Sequence, residues 1–182
     1  MLLLSWGSLA VVWLVGAFGT ARTVRRHKGW GRLLAAVAAL AAFLLVRWNP
    51  DAGFATAQFL RQTDRTFALG TALLGLGVGF AIWARVHLGR FWSGRVTLKE
   101  GHRLVQSGPY AFVRNPIYTG FLVAGFGAAV VTGRTYVLAL AAFLVVAFLL
   151  KIRAEEELLA ENFGAEFEDY KRRVKRLVPW IF

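Results

Sequence analysis

The sequence predicts an all-α, polytopic membrane protein with about five transmembrane helices, a cytosolic loop before the fourth helix and a C-terminal amphipathic helix. Its 182 residues are 57% hydrophobic, with a mean hydropathy of +0.53. Charge is gathered between long uncharged runs rather than spread along the chain, the pattern of bilayer spans and their flanks. Two of those runs, Ile117 to Thr132 and Val137 to Ile152, are joined only by Gly133-Arg134-Thr135-Tyr136. So short a link forces an antiparallel hairpin.

Leu2 to Ala21 is the first span. It has no basic segment before it and is followed by Arg22, Arg25, Arg26, Lys28 and Arg32, so it reads as a retained span whose N-terminus faces outward. Leu33 to Val46 is a second, short span, flanked by Arg47 and Trp48 at the interface. Asn49 to Thr66 makes an outer loop with no recognisable chemistry. Phe67 to Ala84 is the third span, in which Gly75 and Gly79 form a small-xxx-small pair that lets helix backbones approach closely. After it comes a basic segment holding Arg85, His87, Arg90, Arg95, Lys99, Arg103 and Arg114. This places the active face on the cytosolic side.

The hairpin supplies the fourth and fifth spans, and its second arm brings Lys151, Arg153 and Glu155-Glu156-Glu157 to the level of the loop that began its first arm. The tail from Ala154 to Val178 repeats Leu158, Leu159, Phe163, Phe167, Tyr170 and Val174 at mostly helical spacing, so it reads as amphipathic helix. Gly164 divides it and Pro179 ends it. Residues 1–182 form a single domain, with 1–66 contributing two N-terminal spans and the outer loop.

The net charge of +12 sits beside apolar spans, so positive-inside topology and anionic lipid explain it, and no nucleic-acid motif accompanies it. With no Cys, a thiolate nucleophile and Cys-ligated zinc are excluded. His27, His87 and His102 form no HExxH or close pair, so no metal is expected.

The polar stretch from Gly101 to Gly120, GHRLVQSGPYAFVRNPIYTG, stands out in this apolar chain. Arg114-Asn115-Pro116 starts a helix at Pro116, with Asn115 in the N-cap position. The N–H groups and positive dipole end of that helix suit an anionic group. Seven of the ten acidic residues lie between Glu155 and Asp169. Successive helical residues point about 100° apart, so Glu155, Glu156 and Glu157 cannot share one face. Arg153 can pair with Glu156 or Glu157, and Lys151 with Glu155. An anion-friendly helix start, aromatic rings and carboxylates beside lipid fit S-adenosylmethionine, and they also permit a nucleotide or a phospholipid headgroup.

Leu88-Gly89-Arg90-Phe91-Trp92-Ser93, His102-Arg103-Leu104-Val105, Gly108-Pro109-Tyr110, Arg114-Asn115-Pro116-Ile117-Tyr118, Gly120, Glu155-Glu156, Phe163-Gly164, Tyr170 and Pro179 occur in order. Together they resemble the isoprenylcysteine carboxyl methyltransferase family and its phospholipid methyltransferase relatives, over about residues 83 to 180. The resemblance implies an integral membrane methyltransferase, with S-adenosylmethionine held cytosolically and S-adenosylhomocysteine as product. It implies a lipid or prenylated small-molecule substrate that enters from the bilayer. By that likeness cofactor contacts fall on His102, Leu104, Val105, Tyr110, Asn115, Pro116, Tyr118, Glu155 and Glu157. Arg153 and Glu156 are the catalytic pair, and Arg114 and Arg153 orient the substrate. The chain has Asn115 where the family often has His, and Asn cannot titrate. Carboxyl O-methylation is the leading expectation. The alternatives are amine N-methylation of a phospholipid, methylation of a small isoprenoid, and a non-enzymatic scaffold or transporter subunit.

Overall fold

A computed structural model describes residues 7, 11–14, 20, 23–26, 57–92, 97–99, 101 and 103–181. The second expected span and most of the first lie outside the described residues, although residues 11–14 are helical. Four longer helices follow in order: α1 (Asp64–Leu88), α2 (Pro116–Thr132), α3 (Thr135–Phe163) and α4 (Ala165–Arg173). Among the described residues, α1 and α3 are long and apolar enough to cross a bilayer, and α2 is a shorter apolar helix.

Each helix boundary has a local cause. Thr63 accepts from Thr66 N–H while the Thr66 hydroxyl accepts from Thr63 N–H, a capping box that opens α1. Gly89, at φ 56°, closes it. α2 begins at Pro116, as the sequence predicts, and ends at Gly133 in the left-handed conformation. α3 extends well past its apolar part. Beyond the expected end of the fifth span at Ile152 it continues through the start of the expected amphipathic tail to Phe163, where Gly164 divides the tail as the sequence predicts. Arg153, Ala154 and the glutamates are all good helix formers, so nothing interrupts the ladder before Gly164.

The α1–α2 pair packs backbone to backbone. A methyl group on Gly120 would lie 2.6 Å from Ala81 N and 2.7 Å from Gly77 O, and one on Gly70 would lie 2.6 Å from Val131 N. Gly77 and Gly127 meet the backbones of Ala124 and Leu74 just as closely. The expected pair Gly75 and Gly79 is not the contact: a methyl there meets nothing within 4 Å. The close face recurs every seven residues, Gly70 to Gly77 and Gly120 to Gly127, a period that keeps one helix face toward its partner. Leu74, Val78, Ala81, Ala124 and Ala128 complete this core. Leu69, Leu76 and Val146 remain exposed in the protein alone, as lipid-facing side chains do.

At one end of the bundle, Phe59 N–H donates to Gly133 O (3.0 Å) and Gln62 Nε2 to Val130 O (3.0 Å). The segment before α1 therefore packs on the α2–α3 turn. At the other end, strand β1 (Thr23–Arg26) pairs antiparallel with β2 (Thr97–Lys99), a ribbon the all-α expectation lacked. The segments following the first and third spans thus lie together.

Candidate active site

At the β-ribbon end of the helices lies a cavity of about 490 Å³. Its polar side is built from the start of α2 and the far part of α3. On α3 the lining residues include Phe148, Lys151, Glu155 and Leu158, spaced three and four apart on one face. Tyr118 Oη donates to both Glu155 oxygens, at 2.9 and 3.0 Å. Lys151 Nζ stands 3.8 Å from Glu155 Oε1 and 5.4 Å from the Tyr118 ring centroid.

Glu156 has a different setting. Arg114 Nε and Nη2 both lie 3.0 Å from its Oε1, and Arg176 Nε (3.1 Å) and Nη2 (2.7 Å) donate to its Oε2. Asn115 Nδ2 adds a bond to Oε1 at 3.3 Å and donates equally to Arg176 O. Arg114 Nη1 also donates to Lys171 O and Val174 O. The backbone joins the same seam, with Arg114 N–H to Lys175 O at 2.8 Å and Asn115 N–H to Arg176 O at 3.1 Å. Thr119 Oγ1 closes it on Leu177 O at 2.8 Å. Glu156 is therefore the clamp that fastens the C-terminal segment to the start of α2.

Asn115 occupies the N-cap position of α2 without making the side-chain cap the sequence suggests, because its amide is committed to this clamp. The Ile117 and Tyr118 N–H groups, ahead of the first intrahelical bond from Thr119 to Asn115, belong to residues that line the cavity.

The apolar side is aromatic. Trp92 meets Trp13 edge-on (6.2 Å between centroids), Trp13 meets Phe121 (5.3 Å), and Phe148 touches both Phe121 (6.1 Å) and Tyr118 (4.9 Å). The third side is the loop and α4. Tyr170 Oη donates to Tyr110 O at 2.6 Å, and Phe167 and Tyr170 pack with Leu104 and Leu159. Burial raises both the Tyr110 and the Tyr170 hydroxyl above the ordinary phenol pKa, so both stay neutral donors at physiological pH.

Of the residues singled out in the sequence, Leu104, Val105, Tyr110, Arg114, Asn115, Pro116, Tyr118, Glu155 and Glu156 line this cavity. His102 lies outside the described residues. Arg153 and Glu157 are exposed and do not line it. Two residues on from Lys151 and from Glu155, they are turned about 200° around α3 from the lining face. The expected pairing of Glu156 with Arg153 gives way to Arg114 and Arg176. Sequence reasoning assigned no role to Trp13, Phe121, Phe148 or Arg176. Phe148 carried a usable signal, being seven residues before Glu155, whereas Trp13 is one apolar residue in an apolar run.

The fold and this cavity define a small integral membrane protein with a cavity at one end of its helices, lined in part by its C-terminal segment. The profile of the isoprenylcysteine carboxyl methyltransferase (ICMT) family matches residues 69–161. The chain belongs to that family. It is 44% identical over 71 residues to methanethiol S-methyltransferase 1 of Bradyrhizobium diazoefficiens, covering 39% of this chain and 24% of that protein. It is 35% identical over 127 residues to protein-S-isoprenylcysteine O-methyltransferase of Schizosaccharomyces pombe, covering 68% of this chain and 52% of that protein. A solved structure of a eukaryotic intramembrane Ras methyltransferase, ICMT, superposes on 87% of this chain and 55% of its own, with a TM-score of 0.56 and 21% identity. The chain thus spans about half, or less, of the length of these relatives.

Proposed function

We propose that this protein is an S-adenosylmethionine-dependent methyltransferase acting on an apolar, lipid-like acceptor admitted from the bilayer. The observation that carries the reading is a single cavity with two chemistries: the Tyr118–Glu155–Lys151 group at one end and a wall of Trp13, Trp92, Phe121 and Phe148 at the other. The donor set fits the cofactor. Glu155 keeps acceptor capacity for a ribose hydroxyl or an ammonium, the first N–H groups of α2 suit a carboxylate, and Tyr110 and Tyr118 offer aromatic faces to a sulfonium. When bound, S-adenosylmethionine supplies a methyl group activated by its positive sulfur. The chain's own residues hold the reactants in line and exclude water, the two contributions such a displacement gains most from. Leu104, Val105, Asn115 and Pro116 belong to the same lining, and His102 adjoins it in sequence. The orienting role moves off Arg153, and Glu156 acts by fastening the closing segment rather than at the reacting atoms.

Carboxyl O-methylation is the preferred reaction, because a carboxylate is already ionised and needs no base, and Asn115 cannot serve as one. A second reading, methylation of a small thiol, is favoured by the 44% identity to the S-methyltransferase. The basic segments after the first and third expected spans favour a cytosolic cavity with the N-terminus outside.

Calorimetric titration of the purified protein with S-adenosylhomocysteine tests the cofactor assignment without the acceptor. Saturable binding that Tyr118→Ala abolishes is expected, and absence of binding to folded protein in lipid would sink the reading. Because the chain has no Cys, Ser107→Cys offers a single labelling site for topology. Reaction only from outside the cell would reverse the orientation.

A further inference from the structure

The charges at the polar end of the cavity are engaged with one another: Glu156 with Arg114 and Arg176, Glu155 with Lys151. Arg85, in the last turn of α1, is different. It is 3% exposed, and its Nε and Nη2 have no hydrogen-bond partner among the described residues. Nη1 donates to Gly89 O at 3.1 Å. Two unpaired guanidinium donors buried at the end of a membrane helix are costly, and they form the side of the group that binds an oxyanion in bidentate fashion. Arg85 also stands at one end of the aromatic wall. Its guanidinium carbon is 4.4 Å from the Trp92 centroid, and the wall continues through Trp13, Phe121 and Phe148 to Tyr118 beside Glu155. Arg85 is not itself among the lining residues, but Trp92 and Tyr110 are, and Tyr110 Oη donates to Ala84 O at 3.5 Å, next to Arg85 in the chain.

We propose that Arg85 is the anion-receiving residue for the acceptor: its Nε–Nη2 edge takes the oxyanion of an apolar molecule whose body lies along the aromatic wall, with Trp92 the partition that this oxyanion displaces. The word acceptor rests on the methyltransferase reading; the anion site does not. The site distinguishes the two acceptors considered above, since a neutral thiol has no use for it.

The test uses the full chain in phosphatidylcholine nanodiscs and decanoate labelled with ¹³C at the carboxyl, followed by its carboxyl resonance. Wild type is expected to bind it saturably, with methyl decanoate failing to compete. Arg85→Gln should weaken binding about tenfold or more while S-adenosylhomocysteine affinity stays within about twofold. Arg85→Lys, which keeps a cation but not the bidentate Nε–Nη2 edge, should also bind decanoate more weakly than wild type, and it serves as a second variant if Arg85→Gln folds poorly, equal binding by it overturning the proposal. Equal binding by Arg85→Gln, absence of saturable binding by wild type, or equal competition by the methyl ester overturns the proposal. Tighter binding of octyl phosphate than of decanoate in the same nanodiscs assigns the site to a headgroup phosphate and overturns the acceptor assignment. Failure of S-adenosylhomocysteine to bind wild type would remove the methyltransferase reading and leave the decanoate result as a measure of Arg85 alone.

Discussion

The two sides of α2 are built on opposite principles. Toward α1 it presents Gly120 and Gly127, and the backbones touch. Toward α3 it presents Tyr118 and Phe121, which pack on Phe148 to form one wall of a cavity of about 490 Å³. Small residues close one interface and aromatic residues hold the other open, although α2 and α3 are joined by the shorter link. The lesson is that connectivity sets which helices are neighbours, while side-chain size sets whether they enclose a chamber.

The largest effect is expected where closure is tightest. Gly120→Leu must push a branched side chain against Ala81 N and Gly77 O, backbone atoms that cannot rotate away. Overpacking of this kind costs about 1–3 kcal/mol or more, and we expect loss of monodisperse protein after purification. Recovery of Gly120→Leu at wild-type yield would show that the α1–α2 contact is looser than described.

The next effect separates two adjacent glutamates. Glu156 is buried among Arg114, Arg176 and Asn115, so Glu156→Ala removes the carboxylate that the two guanidinium groups share. Breaking a buried pair costs about 3–5 kcal/mol, visible as a lower thermal midpoint and release of the C-terminal segment to protease. Glu155→Gln should instead keep the thermal midpoint and reduce S-adenosylhomocysteine affinity about tenfold, equivalent to about 1.4 kcal/mol. The opposite pattern would exchange the roles assigned to the two residues.

That separation shows what the sequence could and could not express. The third and fifth spans, the helix start at Pro116, the break at Gly164 and the meeting of the loop with the glutamate run were legible, because each follows from apolar length or from local backbone chemistry. The seven-residue recurrence of Gly70, Gly77, Gly120 and Gly127 was also present, but Gly75 and Gly79 offered a more familiar spacing. Which glutamate faces the cavity depends on the rotation of α3. Its anchor was available in the spacing of Phe148, Lys151 and Glu155. Trp13 and Arg176 were not legible, since each reaches the site or its clamp through contacts distant in sequence.

The smallest effect concerns how the loop is held beneath α4. Tyr170 is 2% exposed and its hydroxyl donates to Tyr110 O at 2.6 Å, while its ring packs with Phe167 and Val174. Tyr170→Phe removes the donor and keeps the ring, leaving one buried carbonyl without this bond, at a cost of about 1 kcal/mol. Because Tyr110 lines the cavity and Tyr170 fixes its backbone, cofactor affinity should fall by less than in Glu155→Gln. A loss as large as that of Glu155→Gln, with no change in the thermal midpoint, would place the Tyr170 hydroxyl among the ligand contacts and extend the open side of α2 to include α4.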